Sequence, residues 1–135
     1  MTIRRIDHTA VAVRDLDEAI DRYRRFYDAR SVERTSVPDQ SVEVAFLTLG
    51  DTSLELMSPL DETSGVARFL EKRGEGLHHI GLLVDDLEAE LDRLASEGVE
   101  LIDRRPRRGA HGRIAFIHPR GTGGVLVELV QRDEI

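Results

Sequence analysis

Four polar side chains interrupt apolar stretches of this chain: His8 in "IDHTAVAV", Glu55 in "LELM", His79 in "LHHIGLLV" and Glu128 in "VLVELV". Imidazole nitrogens and carboxylate oxygens together suit a divalent cation such as Zn2+, Co2+, Ni2+ or Mn2+. A glutamate turned into a sheet-enclosed cleft needs a metal, hydrogen bonds or a raised pKa, because desolvation penalises its charged form. Taken singly, each residue also fits a plainer role. Strand alternation sends many glutamates to solvent, and a lone histidine at a strand start is commonly structural. The arrangement of all four points to one ion.

That arrangement is an internal repeat. "DHTAVAVRDLDEAIDRY" (7–23) lies over "HHIGLLVDDLEAELDRL" (78–94) at a shift of 71, so His8 meets His79, Asp15 meets Asp86 and Leu16 meets Leu87. Further on, "AFLTLG" (45–50) resembles "AFIHPR" (115–120), and "LEL" (54–56) resembles "VEL" (127–129) at a shift of 73. The two histidines and two glutamates thus occupy repeat-related places. Alternation lets only one of His78 and His79 face a cleft, and pairing with His8 selects His79. His78 is left as a supporting neighbour or an outer-face residue.

The elements that must position these residues follow from periodicity and punctuation. The first half predicts a strand over 6–13 and a helix over 15–27, with Asp15 as N-cap and Glu18 at N3. Strands over 31–36, 42–49 and 53–58 follow, and "GD" (50–51) closes the last hairpin. The second half predicts a strand over 77–84, a helix over 86–97 and strands over 99–103, 113–118 and 124–130. Between them lies a linker with a short amphipathic helix around Val66, Phe69 and Leu70. The expected fold is α+β: a single domain over 1–135, with half-repeats near 5–59 and 76–131 and linker 60–75. Its paired βαβββ modules would form a metal-containing cleft.

Composition narrows the partners. The chain has 135 residues, 19 basic against 26 acidic, for a formal charge of −7. That argues against nucleic acid or an anionic membrane as partner. No cysteine is present, which removes disulfides, thiolate metal sites and a cysteine nucleophile. No segment is a transmembrane candidate, and a cytoplasmic location is the expectation.

Longer stretches carry a resemblance. In order, "DHTAVAVRDLDEAI", "VPDQSVEVAFLTLGDTSLELMSPL", "RFLEKRGEGLHHIGLLVDDLEAEL", "RRGAHGRIAFIHP" and "GTGGVLVEL" cover nearly the whole chain. Together they resemble the vicinal oxygen chelate superfamily and, within it, the methylmalonyl-CoA epimerase family. The resemblance implies a glyoxalase-like fold, a homodimer, and interconversion of (2R)- and (2S)-methylmalonyl-CoA. It places metal ligands on His8, His79 and Glu128, with the fourth position falling on Glu55, where some relatives have glutamine. The implied ion is Co2+ first, with Zn2+, Ni2+, Mn2+ and Mg2+ as alternatives.

Inversion at carbon takes a proton from one face and returns it to the other, so two acid–base groups are required. The resemblance gives one role to Glu128. For the other, Glu43 in "SVEVAF" is the nearest glutamate to the family position. An ungapped match anchored on Gln40 puts Val44 there instead. Parity agrees: a two-residue turn at "GD" sets Phe46 opposite Glu55, so Glu43 needs a bulge or a shifted register. A water, or Glu55 itself, is the alternative.

The loop "RRGAHGRI" (107–114) is a candidate cover for the substrate. Arg107, His111 and Arg113, with Arg108 beside them, could meet the CoA phosphates or the malonyl carboxylate. Ordinary surface arginines around a turn fit each position equally. "GTGG" (121–124) reads as a turn and has no phosphate-loop geometry. Other functions on the same scaffold stay open. They are glyoxalase I acting on a glutathione hemithioacetal, a metal-free small-ligand-binding or resistance protein, and an iron-dependent dioxygenase using two histidines and a glutamate.

Overall fold

A computed structural model describes residues 3–133, and the chain divides into two compact units. One runs from His8 to His78. The other takes His79 onward, together with the residues that precede His8.

The first unit is built from β1 (Ile3–Ala12) from His8 onward, α1 (Leu16–Phe26), β2 (Val32–Val37), β3 (Val42–Leu49), β4 (Thr52–Pro59) and α2 (Gly65–Arg73). Its strands run in the order β2-β3-β4-β1, with β3 antiparallel to both neighbours and β1 parallel to β4. Asp15 forms the expected cap: its carboxylate accepts from the Glu18 N–H at 3.0 Å. Leu16, Ala19 and Ile20 of α1 then pack on Val13, Ala45, Leu47, Leu54 and Leu56. Because strand side chains alternate, that packing commits Val44, Phe46, Glu55 and Met57 to the opposite face. The tight turn does what its residues predict. Leu49 pairs with Thr52 around Gly50, which sits at φ +60°, and the same register sets Phe46 against Glu55. The linker helix α2 is capped by Ser64 and buries Val66 and Leu70.

The second unit repeats the plan with β5 (Gly76–Val84), α3 (Leu87–Ser96), β6 (Arg107–Arg108), β7 (Gly112–Ile117) and β8 (Val127–Arg132). Strand order is β5-β8-β7-β6, β5 running parallel to β8. Asp86 caps α3 by accepting from the Ala89 N–H at 3.0 Å. Val84, Leu87, Leu91, Ala115, Ile117 and Leu129 form the core beneath the helix. Phe116 and Glu128 are therefore left on the other face, directly paired.

One expected element is missing. Residues 99–103 form no strand; Leu101 makes an isolated bridge to Ile117. The N–H groups of Ile102 and Asp103 both donate to the Phe116 carbonyl, and the Asp103 carboxylate accepts the Phe116 N–H at 2.9 Å. A side chain has taken the ladder's place, and regular pairing resumes only at β6.

Candidate functional site

In the first unit β1 and β4 bring His8 and Glu55 together. Ala10 is the parallel partner of Glu55, so His8, two residues earlier, shares its face. His8 Nε2 lies 3.6 Å from Glu55 Oε1, both side chains nearly sealed from solvent. Phe46, opposite Glu55, turns its ring perpendicular to the imidazole: 87° between planes, 6.2 Å between centroids.

The second unit builds the same constellation. Gly81 pairs with Glu128, placing His79 on the glutamate's face. His79 Nε2 lies 3.8 Å from Glu128 Oε2, again buried, and Phe116 stands at 89° and 5.3 Å from the imidazole. Histidine, glutamate and phenylalanine thus recur as one set in each half.

The chemistry of each pair fits a divalent ion. A direct N–H···O bond closes at roughly 2.7–3.2 Å, so both pairs stand wider than a hydrogen bond. Two donors each about 2.0–2.2 Å from a shared zinc-like ion sit roughly 3–4 Å apart. Burial adds the motive, because a carboxylate taken from water needs compensating charge or hydrogen bonds.

Other expected residues lie elsewhere. Glu43 does not join Glu55: it pairs with Ser58 on the helix side of β3, and its carboxylate accepts from Arg34 at 3.2 Å. Arg34 also holds Asp17 of α1. No bulge intervenes, so parity decides against Glu43. Arg113 is displaced for the same reason. It pairs with Gln131 and donates to Glu88 of α3 at 2.7 Å, on the face away from Glu128. Arg107 makes an ion pair with Asp103 at 3.1 Å, and Arg108 donates to Asp133 at 2.9 Å. His111 is half-buried, its carbonyl accepting the Asp133 N–H at 3.0 Å. His78 packs edge-on against Phe69 at 4.9 Å, and burial pushes its pKa down, favouring the neutral ring.

Sequence reasoning passed over Phe46 and Phe116 as site residues. The signal was present: "AF" opens both members of the aligned pair "AFLTLG" and "AFIHPR".

Residues 7–116 match the family model described as Glyoxalase/Bleomycin resistance protein/Dioxygenase superfamily. The ethylmalonyl-CoA/methylmalonyl-CoA epimerase of Cereibacter sphaeroides is 42% identical over 132 residues, covering 96% of this chain and 98% of that protein. The crystal structure of methylmalonyl-CoA epimerase from Mycobacterium tuberculosis is 40% identical, with a TM-score of 0.94, covering 98% of this chain and 91% of that one. A structure of methylmalonyl-CoA epimerase in complex with methylmalonyl-CoA and NH4+ is 35% identical, also with a TM-score of 0.94. It covers 99% of this chain and 98% of that one.

Proposed function

The chain belongs to the Glyoxalase/Bleomycin resistance protein/Dioxygenase superfamily and to its methylmalonyl-CoA epimerases, and on that premise we propose that it interconverts (2R)- and (2S)-methylmalonyl-CoA. The fold is glyoxalase-like, and residues 1–135 are taken as one domain of two half-repeats. The observation that carries the proposal is the buried His–Glu pair made twice, at repeat-related positions.

His8, Glu55, His79 and Glu128 are assigned as ligands of one divalent ion, Co2+ first, with Zn2+, Ni2+, Mn2+ or Mg2+ as alternatives. Buried His8, Glu55 and His79 have the side-chain chemistry such an ion requires. When bound, the ion supplies electrophilic stabilisation of the charge that develops on the thioester oxygen as the α proton leaves.

The chain's own residues handle the proton. Glu128 removes it from one face of the carbon or returns it; as a ligand it would be held weakly, or shift when substrate binds, so that its oxygen keeps enough basicity. Glu43 is withdrawn from the partner role because it lies on the helix side. The second carrier is Glu55 or a water. Arg107 and His111 are kept as substrate contacts, Arg107 pairing with Ile114 on the face of Phe116; Arg113 is not, because it pairs with Gln131 on the opposite face. Family resemblance also supports a homodimer; the cytoplasm stays the expected location from the sequence, and no described helix is long and apolar enough to cross a membrane.

The test uses one epimer in deuterated water, with protein reconstituted in each divalent metal. Conversion with α-deuterium incorporation is expected. Absence of both under every metal overturns the assignment. A glutamate at position 55 also gives the ligand set of glyoxalase I, so turnover of a glutathione hemithioacetal would favour that second reading.

A further inference from the structure

We propose that Phe46 and Phe116 are positioning residues for the two site histidines, each an aromatic wall that fixes the plane of one imidazole. The proposal rests on the ligand assignment above. Each phenylalanine lies directly opposite the site glutamate of its own hairpin, Phe46 against Glu55 and Phe116 against Glu128. Each also stands perpendicular to a histidine, at 87° to His8 and 89° to His79.

Perpendicular packing is directional, because the positive rim of one ring meets the negative face of the other. An imidazole that ligates a metal must keep both the direction of its nitrogen and the plane of its ring. Groups outside the ligand set that hold that plane raise affinity. An aliphatic side chain of similar bulk fills the space with no preferred angle.

The recurrence is not a by-product of a rigidly copied segment. Between the halves the histidines are shifted by 71 residues, the phenylalanines by 70 and the glutamates by 73. Small length changes accumulated around the three residues, and their mutual placement survived. The two walls also differ. Phe116 is buried and its centroid is 5.3 Å from His79, whereas Phe46 is half-buried and 6.2 Å from His8. Phe116 therefore carries the larger effect.

The experiment titrates Co2+ into wild type and the variants F116L, F46L and F46Y. It also records histidine ring correlations by NMR in the metal-free proteins. Expected are a dissociation constant raised about tenfold in F116L, a smaller rise in F46L, and none in F46Y, which keeps the ring. Exchange broadening is expected in the His79 ring signals of F116L and the His8 signals of F46L, each sparing the other histidine. Leucine variants that bind Co2+ unchanged with sharp ring signals overturn the proposal. So does an F46Y protein as impaired as F46L. If F116L does not fold, F116M takes its place and is read the same way. Wild type that binds no Co2+ overturns the ligand assignment instead, and the metal-free ring signals then decide the positioning role alone.

Discussion

Asp7, the residue before His8, is buried and accepts two hydrogen bonds from Arg132, at 2.8 and 3.1 Å. Replacing Arg132 with Gln withdraws that bidentate partner while Asp7 stays buried, so stability falls by roughly 1–3 kcal/mol. The lower half of that range is expected because the Arg132 side chain is 38% exposed. Adding Asp7→Asn recovers part of the loss, since no buried charge then remains; denaturant melts of the three variants measure both effects. At the ligands, His79→Ala is expected to abolish Co2+ binding and turnover. Glu55→Gln keeps an oxygen donor but removes a charge, so Co2+ affinity drops, and turnover persists where a water is the second proton carrier. If Glu55→Gln protein binds Co2+ and exchanges α deuterium into one epimer without interconverting the two, Glu55 is the second proton carrier. The histidines and glutamates were legible because polar types on apolar strands are conspicuous. Arg113 was not, because Glu88 and Gln131, which hold it, lie 25 and 18 residues away in sequence.

Elements were legible wherever local chemistry closes them. Asp15 and Asp86 cap their helices as their sequence positions imply, and "GD" fixes the β3–β4 register that keeps Glu43 off Glu55's face. The strand expected over 99–103 failed because its competitor is not local. Nothing in "ELID" announces that the Asp103 carboxylate will accept the Phe116 N–H, thirteen residues on. Pairing of β7 with β8 has its own sensitive point at Gly112. A Cβ there would stand 2.1 Å from the Gln131 carbonyl oxygen and 2.8 Å from the Arg132 Cα, both backbone atoms. Gly112→Ala is thus expected to lower stability by about 2 kcal/mol or more. Weakened protection of the β8 amides in hydrogen exchange would accompany it; unchanged melts and protection would show that the strands have room to part.

For the whole molecule, the repeat was the most legible feature, and it supplied the succession of elements in each half and the ligand candidates together, while strand order in the sheet came only with the structure. Metal removal tests that level: Co2+ at a hundred times its dissociation constant stabilises the fold by about 2.7 kcal/mol. Calorimetric melts with and without EDTA measure it. Acid tests the surface. Hydrogen bonds from Arg4, Arg120 and Arg108 hold the carboxylates of Asp85, Glu100 and Asp133 below their usual range. Their contribution is full above the ordinary carboxylate pKa and is lost as pH falls through the lowered values. Added salt shrinks it, since all three pairs are exposed. The two hairpins close differently: a two-residue turn at Gly50 and Asp51, against a loop over 118–126 that includes a short 3-10 turn. In heredity that difference separates insertions that spare the site from those that take it apart. A single-codon insertion at the tight turn swings Phe46 and Glu55 out of opposition, whereas the longer loop absorbs one without disturbing Phe116 and Glu128. An insertion scan selecting for turnover would recover survivors in the loop and none at the turn.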